Sequence, residues 1–373
     1  MQAKAVHMTD AATRARELQR QALVIDGHSD ILIPVTDGKM RLGDRVSVPN
    51  PLGWQPPFTS THGMNEVFGF PQHALTYGPM GQYDIPKLVD GGVTVQICAI
   101  YIEDGQLDWS LKRGLEMTWA LHQAVAENPG FELVTTAADI RRIKREGKTG
   151  AILSFEGFEP LGSDLRLLDL YYKLGLRVAS LTHVRRTPFA DGCYAADQPG
   201  GLTELGKQAV KRMNELGIVI DLVHIGWPAF WEVIGLTTAP VILSHSTSTQ
   251  FPDENTEAGA LGSIPRPYLD PRRDRAVLEA VAKTGGVLGI IWFYQRDVDA
   301  VIRDIETALD LMGPNHVGLG SDLYGLELAP PGLEDISKVP VLTQRLVERG
   351  HSDDTILKFL GGNYLRVFEQ VWK

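Results

Sequence analysis

Cysteine is nearly absent from this 373-residue chain, with Cys98 and Cys193 its only two examples. Two thiols cannot build a disulfide framework or a cysteine metal site, so a reducing compartment, the cytoplasm, is the expected setting. Long apolar runs are missing too: no stretch could span a bilayer, and residues 1–21 mix charges throughout instead of forming the apolar centre of a signal peptide. Nor is there a basic run. With 36 Lys+Arg against 46 Asp+Glu and a formal charge of -10, neither nucleic acid nor a membrane surface is an expected partner. The chain lacks a Gly-x-Ser-x-Gly elbow, a complete phosphate-binding Gly-x-x-x-x-Gly-Lys-Ser/Thr loop and a His-Glu-x-x-His helix, and serine-hydrolase and nucleotide readings fall.

What remains is an ordinary globular composition, 43% hydrophobic and 22% charged. Eight short β-branched runs recur along it: Ala22 to Asp26, Thr94 to Ile100, Ala151 to Phe155, Arg177 to Thr182, Ile218 to Val223, Val241 to Ser244, Val287 to Trp292 and Val317 to Ser321. Amphipathic stretches lie between them, at Leu111 to Glu127, Leu165 to Leu174, Leu202 to Leu216, Arg273 to Lys283 and Val298 to Leu311. Strand and helix in alternation make parallel sheets through right-handed crossovers, and eight such units predict one (β/α)8 TIM barrel spanning residues 1–373. Gly92, Gly150, Gly175, Gly217 and Gly286 precede strands, where glycines ending the previous helix are expected. Two Pro/Gly-rich segments interrupt the rhythm. Residues 34–86, after the first strand, hold eight of the 22 prolines, and residues 247–271 follow the sixth; both are expected as loop insertions on the catalytic face. A closing helix is expected at Ile356 to Phe368, broken at Gly361 and Gly362.

Catalytic groups in such barrels stand at the C-terminal ends of strands. Here those ends carry Asp26-Gly27-His28-Ser29-Asp30, Ser154-Phe155-Glu156-Gly157, Leu181-Thr182-His183, Asp221-Leu222-Val223-His224, Ser244-His245-Ser246 and Gly320-Ser321-Asp322. His28 and Asp30, two apart in extended backbone, point to one side as a chelating pair. Three carboxylates in one pocket repel each other unless cations neutralise them, and two divalent metal ions would do so with neutral histidines completing coordination. Imidazole and carboxylate without thiolate suit Zn²⁺ first, with Mn²⁺ or another transition ion next. His316, at the start of the last strand, and His122, within a helix, are expected to be structural. His62 and His73 in the first insertion have no spacing that assigns them, and Cys193 is expected to be an ordinary thiol.

In this order the motifs resemble the membrane (renal) dipeptidase family of the amidohydrolase superfamily, a likeness that extends through Thr187-Pro188-Phe189-Ala190-Asp191 to Gly361-Gly362-Asn363-Tyr364-Leu365-Arg366. The resemblance implies a binuclear zinc site in which Glu156 bridges, His28 and Asp30 bind one ion, and His224 and His245 bind the other. It implies further that Asp322 contacts the metals' water as general base, that His183 polarises the scissile carbonyl, and that Arg266 holds a dipeptide's C-terminal carboxylate. The implied activity is hydrolysis of small dipeptides, including those with a D-residue at the C-terminal position, by a metal-bridging hydroxide, and the implied assembly is a homodimer. The same metals could serve an amidohydrolase acting on N-acyl amino acids, lactones or other small amides, or a non-catalytic metal-binding scaffold. Departures from the family pattern include the long segment before Arg266, Leu323-Tyr324-Gly325 after the last strand's Asp, and Glu159 at an often small or polar position.

Overall fold

Parallel pairing runs without interruption around a ring of eight strands. The computed structural model describes residues 2–47, 81–193, 195, 200–248, 275–292, 295, 297–325 and 329–373. The strands are β1 (Val24–Asp26), β2 (Val93–Ile100), β3 (Phe131–Leu133), β4 (Thr149–Glu156), β5 (Leu176–Ser180), β6 (Val219–Asp221), β7 (Val241–Ser246), β8 (Val287–Ile290) and β9 (Val317–Leu319). β1 pairs with both β2 and β9, β2 pairs with β4, and β4 leads through β5, β6, β7 and β8 back to β9, which closes the cylinder. Every residue of β2 and β4 is buried, as strands covered on both faces must be.

All eight expected strands are present, and β3 is an addition. It pairs with Thr149 to Ala151 at the start of β4, and β5 takes over the same edge from Leu153 onward, so β3 extends the barrel's N-terminal rim without entering the ring. The helix that follows, Ala137–Glu146, begins with a reciprocal cap: Thr136 Oγ1 accepts from the Asp139 amide at 3.1 Å while the Asp139 carboxylate accepts from the Thr136 amide at 3.0 Å. Its left-handed terminal residue is Gly147, and the expected helix-ending Gly150 lies inside β4, where a side chain would strike Val134 at 2.7 Å. Likewise Gly285, with φ +85°, takes the role expected of Gly286.

The C-terminal segment closes the barrel from below. Its helix breaks where the double glycine predicts, into Asp353–Leu357 and Asn363–Val371 around a wide turn at Lys358–Gly362. A Cβ on Gly361 would lie 1.9 Å from the Leu23 carbonyl, so only glycine lets this turn press against the entry to β1. Beyond it, the fully buried Tyr364 enters the barrel and donates to the Ser244 carbonyl at 3.2 Å. Gly289 and Gly318 make room for it, since a Cβ at these positions would lie 2.4 Å from its hydroxyl and 2.7 Å from its ring.

The described residues include both ends of the first long segment and the start of the second. The buried Lys87 bonds the carbonyls of both Val46 and Gly81 and pairs with Asp84 at 3.1 Å, which joins the two ends of the first segment at one point. The second begins at Thr247 and Ser248, both bonded to the buried Asp304 carboxylate, at 2.6 Å from the Thr247 hydroxyl and 2.7 Å from the Ser248 amide. No described helix is long and apolar enough to cross a membrane. Gly361→Ala is expected to destabilise the fold by about 1–3 kcal/mol, through overpacking against Leu23; urea unfolding should show a lower midpoint at unchanged m-value.

Candidate metal centre

Six side chains from five strand ends meet at the C-terminal mouth of the barrel. His28 and Asp30 follow β1, where Ser29 still bridges to Leu323 and keeps the backbone extended, so the two side chains share a side. Glu156 ends β4, His224 follows β6, His245 lies in β7 and Asp322 follows β9. His224 and Asp322 both hold left-handed backbone, φ 61° and 58°, a conformation that costs a non-glycine residue of order 1–3 kcal/mol and persists where surroundings over-determine it. Two buried carboxylates supply part of that constraint. Asp221 accepts from the Val223 and Ser244 amides, each at 3.1 Å, just before His224 and His245. Asp26 accepts from the Ser321 amide at 2.7 Å, just before Asp322.

Glu156 is central. Its Oε1 lies 2.9 Å from His224 Nε2 and 3.5 Å from His245 Nε2, and its Oε2 lies 3.5 Å from His28 Nε2. His28 Nε2 is also 3.6 Å from Asp30 Oδ2 and 3.8 Å from Asp322 Oδ1, and neither it nor Asp30 Oδ1 has a hydrogen-bond partner although both are buried. Buried polar atoms without partners are rare in folded proteins. Donors 2.0–2.2 Å from one tetrahedral zinc ion stand about 3.4 Å from each other, so gaps of 3.5–3.8 Å between unbonded donors fit a cation between them. Three overlapping donor sets keep their ligand atoms within 4.8 Å of one another: His28 with Asp30 and Glu156, Glu156 with His224 and His245, and His28 with His245 and Asp322. The Ser244 hydroxyl, 2.9 Å from His245 Nδ1, occupies the other ring nitrogen and leaves Nε2 to face the cluster.

Electrostatics favour the same conclusion. Burial pushes the Glu156 carboxyl up to about 7, with the Asp30 and Asp221 carboxylates adding to the rise and His28 opposing it. Burial likewise holds Asp322 well above the usual carboxylate range, reinforced by Asp30, Glu156 and Asp26. For His28 burial resists protonation, but Glu156 and Asp30 outweigh it and raise the imidazole well above its ordinary value. Without cations this pocket retains protons to relieve its own repulsion, and divalent ions can replace them.

His183 completes the group at its edge, with Nε2 4.0 Å from Glu156 Oε1 and its ring 4.3 Å from that of His224. His122 and His316 lie elsewhere, bonded to the carbonyls of Leu174 and Gly286, each at 2.9 Å. Arg266, His62 and His73 lie outside the described residues. Asp26, Asp221 and Ser244, which orient the cluster, were not singled out by sequence reasoning, although Asp26 and Asp221 end strands as the cluster's own residues do. Tyr101, whose ring stands edge-on to His183 at 4.7 Å, carries no signal in the sequence.

Fold and site together define a (β/α)8 barrel with a metal-binding cluster at its catalytic mouth. The sequence profile of the membrane dipeptidase family, Peptidase family M19, matches residues 12–373, and the chain belongs to that family. It is 31% identical over 337 residues to the dipeptidase aclJ of Aspergillus oryzae, covering 84% of this chain and 75% of that one. Among solved structures, a metallopeptidase from Rhodobacter sphaeroides, liganded with a phosphinate mimic of the dipeptide L-Ala-D-Ala, superposes with a TM-score of 0.72 at 23% identity over 94% of this chain and 99% of that one. The probable dipeptidase PvdM from Pseudomonas aeruginosa gives a TM-score of 0.75 at 21% identity, over 97% and 98%. Both share the fold.

Because Glu156 holds its proton up to about 7 in the metal-free protein and must lose it to ligate, metal affinity should fall as pH drops below that value. Titration calorimetry with Zn²⁺ at pH 6, in two buffers of different ionisation enthalpy, should register proton release; identical heats in both would contradict this assignment.

Proposed function

We propose that the chain is a metal-dependent dipeptidase that hydrolyses the amide bond of small dipeptides, including those with a D-residue at the C-terminal position. The observation that carries this is Glu156, whose two oxygens face two different sets of nitrogen and oxygen donors. His28 and Asp30 would hold one divalent cation, His224 and His245 a second, and Glu156 would bridge; donors without thiolate suit Zn²⁺. When bound, such a pair supplies Lewis acidity that activates water for attack on an amide carbon.

The remaining work falls to side chains. Asp322 stands 3.8 Å from His28 Nε2 at the cluster's border, and its carboxylate takes a proton from the attacking water and passes it to the departing amine. His183, beside Glu156 and His224, donates to the scissile carbonyl oxygen as negative charge develops there. Arg266 is assigned the substrate's terminal carboxylate, since a bidentate grip on a free terminus fixes the distance to the scissile bond and selects short peptides. Residues 1–373 act as one domain, with 34–86 and 247–271 as loops of the catalytic face.

Two separate, buried, free cysteines support a cytoplasmic setting. An exposed stripe of Leu111, Leu115 and Trp119 on the helix Ser110–Glu127, with Trp109 just before it, supports a homodimer as the assembly.

Turnover of L,L and L,D dipeptides by the zinc-loaded protein tests the proposal, and inactivity across both sets would refute it. Asp322→Asn should retain both ions by metal analysis while kcat falls about 100-fold or more. Arg266→Met should raise KM strongly for dipeptides with a free carboxylate and leave C-terminally amidated ones unchanged.

A further inference from the structure

Arg185 follows β5 in the loop that carries His183, and only 17% of its side chain is exposed. Its guanidinium joins three successive loops of the catalytic face. Nε donates to Glu159 Oε1 at 2.9 Å in the loop after β4, and Nη2 donates to the Ile102 carbonyl at 2.6 Å after β2. Nη1 pairs with the Asp104 carboxylate in that same loop. The guanidinium carbon lies 5.4 Å from the centroid of the Tyr101 ring, which in turn meets the His183 imidazole edge-on at 4.7 Å. Each nitrogen of this arginine therefore meets an acceptor within the protein, which holds the guanidinium in one orientation.

A largely buried ion pair adds little net stability, because desolvation consumes most of the Coulomb gain. What this one supplies is geometry. Arg fits the task because its planar fork satisfies separate acceptors in fixed directions, which a lysine ammonium cannot do. Glu159, itself buried, is the partner that makes such an arginine tolerable at this depth.

We propose that Arg185 is a positioning residue, clamping the loops after β2, β4 and β5 so that Tyr101 packs against His183 and fixes the imidazole's orientation toward the cluster. The turnover part of this proposal rests on the dipeptidase reading above. An imidazole misplaced by about 1 Å costs on the order of 100-fold in rate, so Arg185→Met should lower kcat between about 10- and 100-fold while KM stays within about threefold and metal content is unchanged. Tyr101→Leu should lose a similar amount, and the double variant should lose no more than the worse single one, since both changes release the same ring. Wild-type kcat in Arg185→Met, or losses that multiply in the double variant, would overturn the proposal. Should Arg185→Met fail to fold, Arg185→Lys keeps the charge without the fork and should fold with reduced kcat; wild-type kcat there would be equally fatal. If the zinc-loaded wild type cleaves no dipeptide, the dipeptidase reading fails by itself, and the clamp is then judged from the His183 ring resonances in ¹H–¹⁵N spectra, assigned with His183→Asn. These should shift in the Arg185 variant, and unmoved resonances would refute the clamp.

Discussion

Mutual repulsion among Asp30, Glu156 and Asp322 is the constraint on which the rest of this structure depends. A closed parallel barrel aims its strand ends at one axis, and here those ends are acidic, so folding concentrates negative charge in a buried space. The imidazoles of His28, His224 and His245 sit between the carboxylates, with Glu156 oxygens 2.9–3.5 Å from their nitrogens, yet they cannot cancel three charges while remaining neutral ligands. Cations resolve the conflict, and the same cations would provide the chemistry.

Holding such groups in place requires a rigid setting, and the fold provides it in layers. Asp26 and Asp221 lock the peptide groups next to Asp322, His224 and His245, and both candidate ligands in left-handed backbone lie directly beside these locks. Tyr364 supports β7 from below through Ser244, whose hydroxyl also turns His245. Arg185 acts above, where the loops are longer. Support for the site thus comes from polar groups outside the candidate ligand set and from one tyrosine in the barrel interior.

Much of this was legible from local pattern. Apolar runs of β-branched residues announced the eight ring strands, and the polar residues closing them announced the cluster, because a strand's tip in such a barrel has one destination. Other elements left weak signals. β3 is three residues long, Phe131 to Leu133, too short for periodicity. The helix Trp227–Leu236 is apolar nearly throughout and opens without a side-chain cap, so it shows no amphipathic stripe. Ala137–Glu146 did carry a readable signal, the Thr136 and Asp139 pair, within a segment of mostly charged residues.

Residue types and their order along the chain determined the barrel, the set of candidate ligands and the family, since all three follow from short-range patterns at successive strands and their ends. Only the tertiary structure decided which oxygen of Glu156 faces which histidines, that His28 Nε2 is left without a hydrogen bond, and that Arg185 reaches across three loops to the ring beside His183. Those relations join residues more than twenty positions apart, and their distances are set by how the cylinder closes and the core packs, which no local stretch of sequence encodes.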